Sequence, residues 1–371
     1  MADQIRDQQW PLQTLEATTK IWAVSQGDGV VVGVIDTGVN QDHQDLVGQV
    51  LPGADFSGGN TDGRIDTDGH GTGMASLIAG HGHGTDAGVM GLAPKAKILP
   101  LRVGTDGDGS APQGHGFADA IRYAADHGAK VVNVSLGGNY RFDSVLRKAV
   151  SYAVSKDVVL VAAAGNTGMA MDVNYPAAFP GVVAVGAADN KGAVWEKSTS
   201  GPETTLVAPG VGIYHAAAKS PTSYGSGSGT SDAAAYVSAT AALIRSKYPD
   251  LSAGQVINRL IKSATPPANG TVVPNSHYGY GLLDPAKALE PNPAVDNGPK
   301  ANPLVSRPES KGAPPVDDDS DATDAPSVAP VVPEATSGGS DVTGPVVVAG
   351  VVVVVGAAVV AGLVVRRRRR Q

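Results

Sequence analysis

The chain contains no cysteine. Disulfides, thiolate metal sites and cysteine lipid anchors are therefore excluded. It also has no basic excess: 28 Lys and Arg stand against 35 Asp and Glu, for a net charge of −7. That leaves no electrostatic ground for a nucleic-acid partner. Aromatics are only 5% of residues, and no internal repeat is present. The opening "MADQIRDQQWPLQTLEATTKIW" lacks the apolar h-region of a secretory signal. If the protein is exported, its signal is expected upstream of Met1.

What is present is apolar residues at 42%, with 48 glycines and 26 prolines in 371 residues. That suits one sizeable α/β domain rich in tight turns, with extended segments attached. After a polar arm over residues 1–20, short near-continuous apolar runs recur: "VVVGVID", "KILPLRV", "KVVNVSL", "VVLVAAAG" and "VVAVGA". Runs apolar at every position are strands buried on both faces. Helical stretches lie between several of them, such as "GFADAIRYAADHG" (116–128) and "FDSVLRKAVSYAVSK" (142–156). Together they predict a mostly parallel sheet with helices on both faces. Ser252 and Gln255 have capping-box spacing, which predicts a helix start there. The domain is read over 21–289.

From Glu290 the composition shifts to Pro, Ser, Gly and Asp, so residues 290–345 read as a disordered linker. Its acidic cluster, Asp317, Asp318, Asp319, Asp321 and Asp324, reads as a solvated spacer. Val346 to Val365 is a run of 20 uncharged residues, mostly valine, alanine and glycine. As a helix it would span about 30 Å, the thickness of a bilayer core. Five arginines follow directly, in a tail over 366–371. Arginines stay on the cytoplasmic side. The expectation is a single-pass plasma-membrane protein with its domain outside and its C-terminus in the cytoplasm.

Three stretches carry chemistry. In "VVGVIDTGVNQDHQDL" a buried strand ends at Asp36, and the carboxyl ends of parallel strands are where such sheets build sites. In "DGHGTGMASLIAG", His70 is followed by small residues that let an imidazole and a substrate backbone approach. In "GSGTSDAAAYVSATAALI", Ser231 follows a glycine-rich turn and opens an alanine-rich helix. A helix N-terminus there would supply backbone N–H groups to an oxyanion. An Asp, a His and a Ser are the parts of a nucleophilic triad.

The chain order Asp–His–Ser is that of subtilisin. "VIDTGV", "HGTGMASLIAG" and "GTSDAAAYVSATAAL" resemble the three signature segments of the subtilisin-like serine proteases. "VAAAGN", "NVSLGG" and "GYGLLDPAKAL" extend the resemblance, which covers residues 10 to 289. It implies a subtilisin-like fold and a serine endopeptidase acting on protein or peptide substrates without a cofactor. Asp36 would orient, His70 would act as general base and then acid, and Ser231 would attack. Asn166 would be the side-chain donor of the oxyanion hole. Ser135, Leu136 and Gly137 would pair with a peptide backbone by strand addition. With its arm, tether and basic-ended apolar run, the architecture resembles the mycosins, membrane-anchored proteases of type VII secretion. A membrane secretion complex is then an implied partner. The alternative is a catalytically weak or inactive domain bracing such a complex.

The second "HGT", at His83, reads with His81 as surface loop. Asp42, His43 and Asp45 read as the ordinary loop after the first motif, and His115, His127, His215 and His277 have no named partner. Subtilisins often bind calcium through loops, but "GHGHGTDAGVMG" departs from the usual asparagine-rich loop, so no metal is expected. Asp232 is the main departure, since an apolar residue usually follows the nucleophile. A carboxylate in a first helical turn stabilises the helix by about 0.3–1 kcal/mol. Near a developing oxyanion it would instead raise the barrier, while favouring an imidazolium. An active enzyme, slow or narrow in specificity, is expected.

Overall fold

The computed structural model describes residues 4–104, 115–168 and 172–307. A seven-stranded sheet forms its centre. The strands are β1 (Val31–Asp36), β2 (Ala54–Asp55), β5 (Lys97–Arg102), β6 (Val131–Val134), β7 (Val159–Ala163), β8 (Val183–Ala188) and β9 (Thr204–Pro209). Their order is β2-β5-β1-β6-β7-β8-β9. Every pairing is parallel. Two antiparallel hairpins lie outside it, β3 (His81–His83) with β4 (Ala87–Met90) and β10 (Ile213–Ala216) with β11 (Tyr224–Gly227). The apolar runs read from sequence are β1, β5, β6, β7 and β8.

Successive residues of a strand point to opposite faces, and the two faces feed separate cores. Val32, Val34, Val131, Val159, Val161, Val183 and Val185 pack in one core. Ile35, Val132, Val134, Leu160, Ala162 and Ala184 pack in the other. The first core takes α3 (His70–Ala79), α6 (Thr230–Lys247) and α7 (Ala253–Ser263). The second takes α4 (His115–Asp126) and α5 (Ser144–Ser155). Asp143 caps α5 by accepting from the Leu146 N–H at 2.8 Å. The Ser252–Gln255 capping box opens α7 as the spacing predicts.

Helix α6 is buried from Thr230 to Arg245. An 18-residue helix can thread the middle of a core where its neighbours are close only if its side chains are small, and its alanines meet that need. Strand order reverses at β1, whose sequence successors β2 and β5 lie on one side and β6 on the other. The crevice at the carboxyl end of such a strand is where doubly wound sheets form ligand sites. Asp36 is the last residue of β1.

The arm is built of α1 (Gln4–Gln8), α2 (Trp10–Thr14) and one π-helical turn, Ala17–Ile21. Leu12, Ala17 and Ile21 enter the first core. The Trp10 indole donates to the Val211 carbonyl at 3.0 Å.

At the other end the reading that starts the linker at Glu290 is corrected. After α8 (Pro285–Ala288) comes α9 (Pro293–Asp296), and residues as far as Arg307 pack on the domain. Val295 and Leu304 are buried. The Arg259 guanidinium pairs with Asp296 at 2.6 Å. Arg307 donates to the carbonyls of Phe179 (2.6 Å), Glu203 (2.8 Å), Ala177 (3.0 Å) and Val182 (3.2 Å). Composition misses this segment because two apolar anchors and two arginines order it, not an apolar run. Among the described residues no helix is long and apolar enough to cross a membrane. Residues 308–345 of the linker, the apolar run 346–365 and the basic tail 366–371 lie outside the described residues.

Candidate active site

The turn after β1 is built for close approach. Gly38 has a φ of 107°, and a Cβ there would lie 2.1 Å from the Ile65 carbonyl oxygen. A Cβ on Gly71 would lie 2.1 Å from the Gly38 carbonyl oxygen. Only glycines let this turn and the start of α3 touch. Asp66, which the sequence reading passed over, ties the two together. Its carboxylate accepts from the Thr37 hydroxyl (3.0 Å), the Gly69 N–H (2.9 Å), and the Thr72 N–H (2.9 Å) and hydroxyl (2.6 Å). The Thr37 hydroxyl in turn accepts from the Gly71 N–H at 2.9 Å.

Thus held, His70 at the start of α3 meets Asp36 at the end of β1. His70 Nδ1 lies 2.7 Å from Asp36 Oδ1. The Asp36 side chain is fully buried and the His70 ring is 33% exposed. The other contact of Oδ1 is the Thr37 N–H at 2.8 Å. Burial works against charging the imidazole, but the Asp36 carboxylate, with smaller contributions from Asp232 and Asp68, raises its pKa to about 9.

Ser231 sits in the first turn of α6, and its hydroxyl donates to the Ser135 carbonyl at 3.0 Å. The Ser135 hydroxyl returns a bond to the Ser231 carbonyl at 3.2 Å and accepts from the Asn133 amide at 2.9 Å. Ser238, two turns along α6, donates to Asn133 Oδ1 at 2.9 Å. This chain of bonds fixes the Ser231 turn against β6. The hydroxyl is turned to Ser135, and among the described residues it makes no hydrogen bond to His70.

Asn166 lies on the exposed rim beyond β7. Its Oδ1 accepts from the Thr230 N–H (2.9 Å) and hydroxyl (3.0 Å). An oxygen held by donors leaves the amide nitrogen as the outward donor. His70, Ser135, Leu136, Gly137, Asn166 and Ser231 line one cleft of about 480 Å³. At its edge Gly138 pairs with Tyr175 on both backbone groups, at 3.1 and 2.9 Å. Among the described residues the Gly137 N–H and carbonyl have no backbone partner, which leaves an edge for an extended chain. The structure thus gathers all seven candidate residues at one place, with Asp36 beneath the cleft.

Asp232 is 4% exposed, and among the described residues its Oδ1 has no hydrogen-bond partner. Burial pushes its carboxyl up to about 7, against a pull downward from His70. His215 on β10 is a neighbour that its own sequence gave no sign of. Its ring packs on Gly73, three residues after His70, where a Cβ would lie 2.8 Å from the imidazole. Burial lowers its pKa, and a charge on His70 adds to the fall.

His81 and His83 belong to hairpin strand β3 rather than to a loop, and the Gly84 and Thr85 of the second "HGT" lie in its turn. His83 Nδ1 lies 2.6 Å from Asp45 Oδ1. Tyr224 donates to Asp45 Oδ2 at 2.9 Å, and the Val89 N–H does so at 2.8 Å. In the same hairpin Arg6 donates to the Gly88 (2.9 Å) and Ala87 (2.8 Å) carbonyls. Oxygens that a calcium ion would need are here bound by an imidazole and a guanidinium. The loop does not fit the calcium site of the subtilisin resemblance. Among the described residues no three His, Asp or Glu side chains group to hold a metal.

A doubly wound sheet with an Asp–His pair, a serine at a helix start and an outward amide donor in one cleft defines a hydrolase of the serine type. The Subtilase family matches residues 27–281, and the chain belongs to that family of serine endopeptidases. It is 38% identical to subtilisin DY of Bacillus licheniformis over 71% of this chain and 92% of that protein. It is 37% identical to thermitase of Thermoactinomyces vulgaris over 72% of this chain and 91% of that one. Among solved structures, MycP1 from Mycobacterium smegmatis matches with a TM-score of 0.68 at 29% identity, over 81% of this chain and 89% of that one. The MycP3 protease from the type VII (ESX-3) secretion system matches with 0.66 at 33% identity, over 76% and 88%. The resemblance to mycosins read from architecture thus has its counterpart in the fold.

Proposed function

We propose that this subtilase hydrolyses peptide bonds through Asp36, His70 and Ser231. The observation that carries the reading is the 2.7 Å bond from His70 Nδ1 to buried Asp36, in a cleft shared with Ser231 at a helix start. Asp36 accepts a hydrogen bond from Nδ1–H, which keeps that proton on Nδ1 and leaves Nε2 as the base. A rotation of the Ser231 side chain carries its hydroxyl from Ser135 to Nε2. His70 takes the proton as Ser231 attacks the scissile carbonyl, then gives it to the leaving amine. The Asn166 amide and the Ser231 N–H hold the oxyanion. Ser135, Leu136 and Gly137 receive the substrate backbone as an added strand. No cofactor takes part.

The chain is proposed to be anchored in the plasma membrane by residues 346–365, with the domain outside and the arginine tail in the cytoplasm. What supports this is the length of that run and the charge that ends it. The likeness to proteases of type VII secretion supports a place in such a system, with a secreted protein as substrate and the secretion complex as partner. The test is cleavage of an unstructured protein by the full-length chain and by Ser231→Ala, with each version also restored to cells lacking the gene. Cleavage and secretion that both fail in Ser231→Ala fit the proposal. Secretion that survives Ser231→Ala but not removal of the chain would assign a bracing role instead.

A further inference from the structure

A short turn over residues 174–179 bridges the two walls of the cleft. On one wall the Asn174 N–H donates to the Ala164 carbonyl at 2.9 Å, and on the other Tyr175 and Gly138 exchange both backbone bonds. The Asn174 side chain lines the cleft between them. A Cβ on Gly137 would lie 3.3 Å from the Asn174 Cβ, and one on Gly165 would lie 2.9 Å from its Nδ2. Within the turn, the Ala178 N–H donates to the Asn174 carbonyl at 2.9 Å and the Phe179 N–H to that of Pro176 at 3.0 Å. A helical turn this short cannot satisfy its last carbonyls from within.

Those carbonyls are taken by Arg307. Its Nη2 serves Ala177 and Phe179, at the end of the turn. Its Nη1 serves Val182 and Glu203, the residues just before β8 and β9. The guanidinium therefore pins the turn to the sheet, with a planar fork that a lysine ammonium does not reproduce. Just upstream, the Leu304 carbonyl accepts from the Gly181 N–H at 2.9 Å and the Asn302 amide donates to the Gly181 carbonyl at 2.8 Å. Arg307 is also the last described residue before the linker. We propose that Arg307 is a positioning residue for the cleft. It holds the 174–179 turn in place, so the fit of a substrate side chain depends on the segment that leads into the linker. The side chain concerned belongs to the residue bearing the attacked carbonyl, which Gly137 and Gly138 flank on one side and Gly165 and Asn166 on the other. Asp36, His70 and Ser231 stand on β1, α3 and α6, so losing Arg307 leaves them where they are.

This inference rests on the proposed peptidase reading for its effect on substrate, and its test is chosen to fail separately from that reading. Amide exchange is followed in the full-length chain, in Arg307→Ala and in Arg307→Lys. Arg259→Ala is the control, because its bonds to Asp296, Ala288 and Glu290 belong to the same segment and do not touch the turn. In Arg307→Ala the Gly138 and Tyr175 amides should exchange about tenfold faster or more, since local opening sets that rate. Arg307→Lys should fall between, and Arg259→Ala should leave both amides unchanged. Cleavage is compared on two peptides that carry glutamine or glycine before the scissile bond. Arg307→Ala should lose about tenfold in kcat/KM on the first and stay within about twofold on the second, with fluorophosphonate labelling of Ser231 also within about twofold. Unchanged exchange at Gly138 and Tyr175 in whichever Arg307 variant folds overturns the inference, whether or not the chain cleaves peptides. So does exchange that quickens equally across the sheet, or equally in Arg259→Ala, which marks a structural role alone. Faster exchange confined to the turn and its partners, in a chain that cleaves nothing, upholds the coupling and counts against the proposed activity instead.

Discussion

The molecule holds two Asp–His pairs of almost the same geometry. Asp36 and His70 meet at 2.7 Å, and Asp45 and His83 at 2.6 Å. Both aspartates are fully buried, and the two rings are 33% and 34% exposed. Both histidines open an "HGT". What differs is the company. Beyond His70 lies a cleft with a serine at a helix start and an amide donor. His83 sits in a short hairpin that also receives Arg6, and beside it lies the Tyr224 phenol from β11. A buried carboxylate orients an imidazole equally well in both places. Among the described residues only the first stands in a cleft with a serine at a helix start and an outward amide donor, and the proposed chemistry belongs to that one.

The sharpest way to break the comparison is to remove the nucleophile. Ser231→Ala is expected to lower the peptidase rate by about 10⁴-fold or more while leaving the fold intact. Asp36→Asn should cost about 10⁴-fold, because the ring loses its tautomer and its stabilised charge. His83→Ala is the counterpart on the other side, and cleavage within twofold of the unaltered chain is expected from it. Its cost should appear in denaturant unfolding, as about 1–2 kcal/mol for the lost bond to Asp45. Equal loss of cleavage in Asp36→Asn and His83→Ala would erase the distinction. Asn166→Ala should lower kcat by about 10²–10³-fold with little change in KM.

Proton linkage gives a smaller effect. The Asp232 carboxyl rises from 3.8 to about 7 in the folded chain. Its contribution to stability is therefore complete below the lower value and lost as pH rises through the upper one. Asp232→Asn should raise Tm near pH 8 and change it little near pH 3. His70, raised from 6.5 to about 9, stabilises the fold fully below the first value and less as pH climbs through the second. Because the proposed base acts in its neutral form, kcat/KM should rise with pH toward that upper value.

Much of this was legible in the residues. The strands announced themselves because burial on both faces demands apolar residues at every position. The positions of Asp36, His70, Ser231 and Asn166 followed from ordered motifs with glycines where backbones must touch. What could not be read were contacts between segments far apart in the chain. Asp66 looks like any loop aspartate until Thr37, Gly69 and Thr72 converge on it. His215 gains its place beside α3 only when β10 folds against that helix. The segment after Glu290 has a linker's composition, and its order depends on Arg259 and Arg307 finding carboxylate and carbonyl partners.

The central claim is that His70 and the helix start activate Ser231. The most direct measurement is labelling of the full-length chain by a fluorophosphonate, beside Ser231→Ala, His70→Ala and His83→Ala. The account predicts one labelled site in the unaltered chain and in His83→Ala, none in Ser231→Ala, and severely slowed labelling in His70→Ala. A folded, unaltered chain that takes no label across the alkaline range, or one labelled as fast without His70, would contradict it.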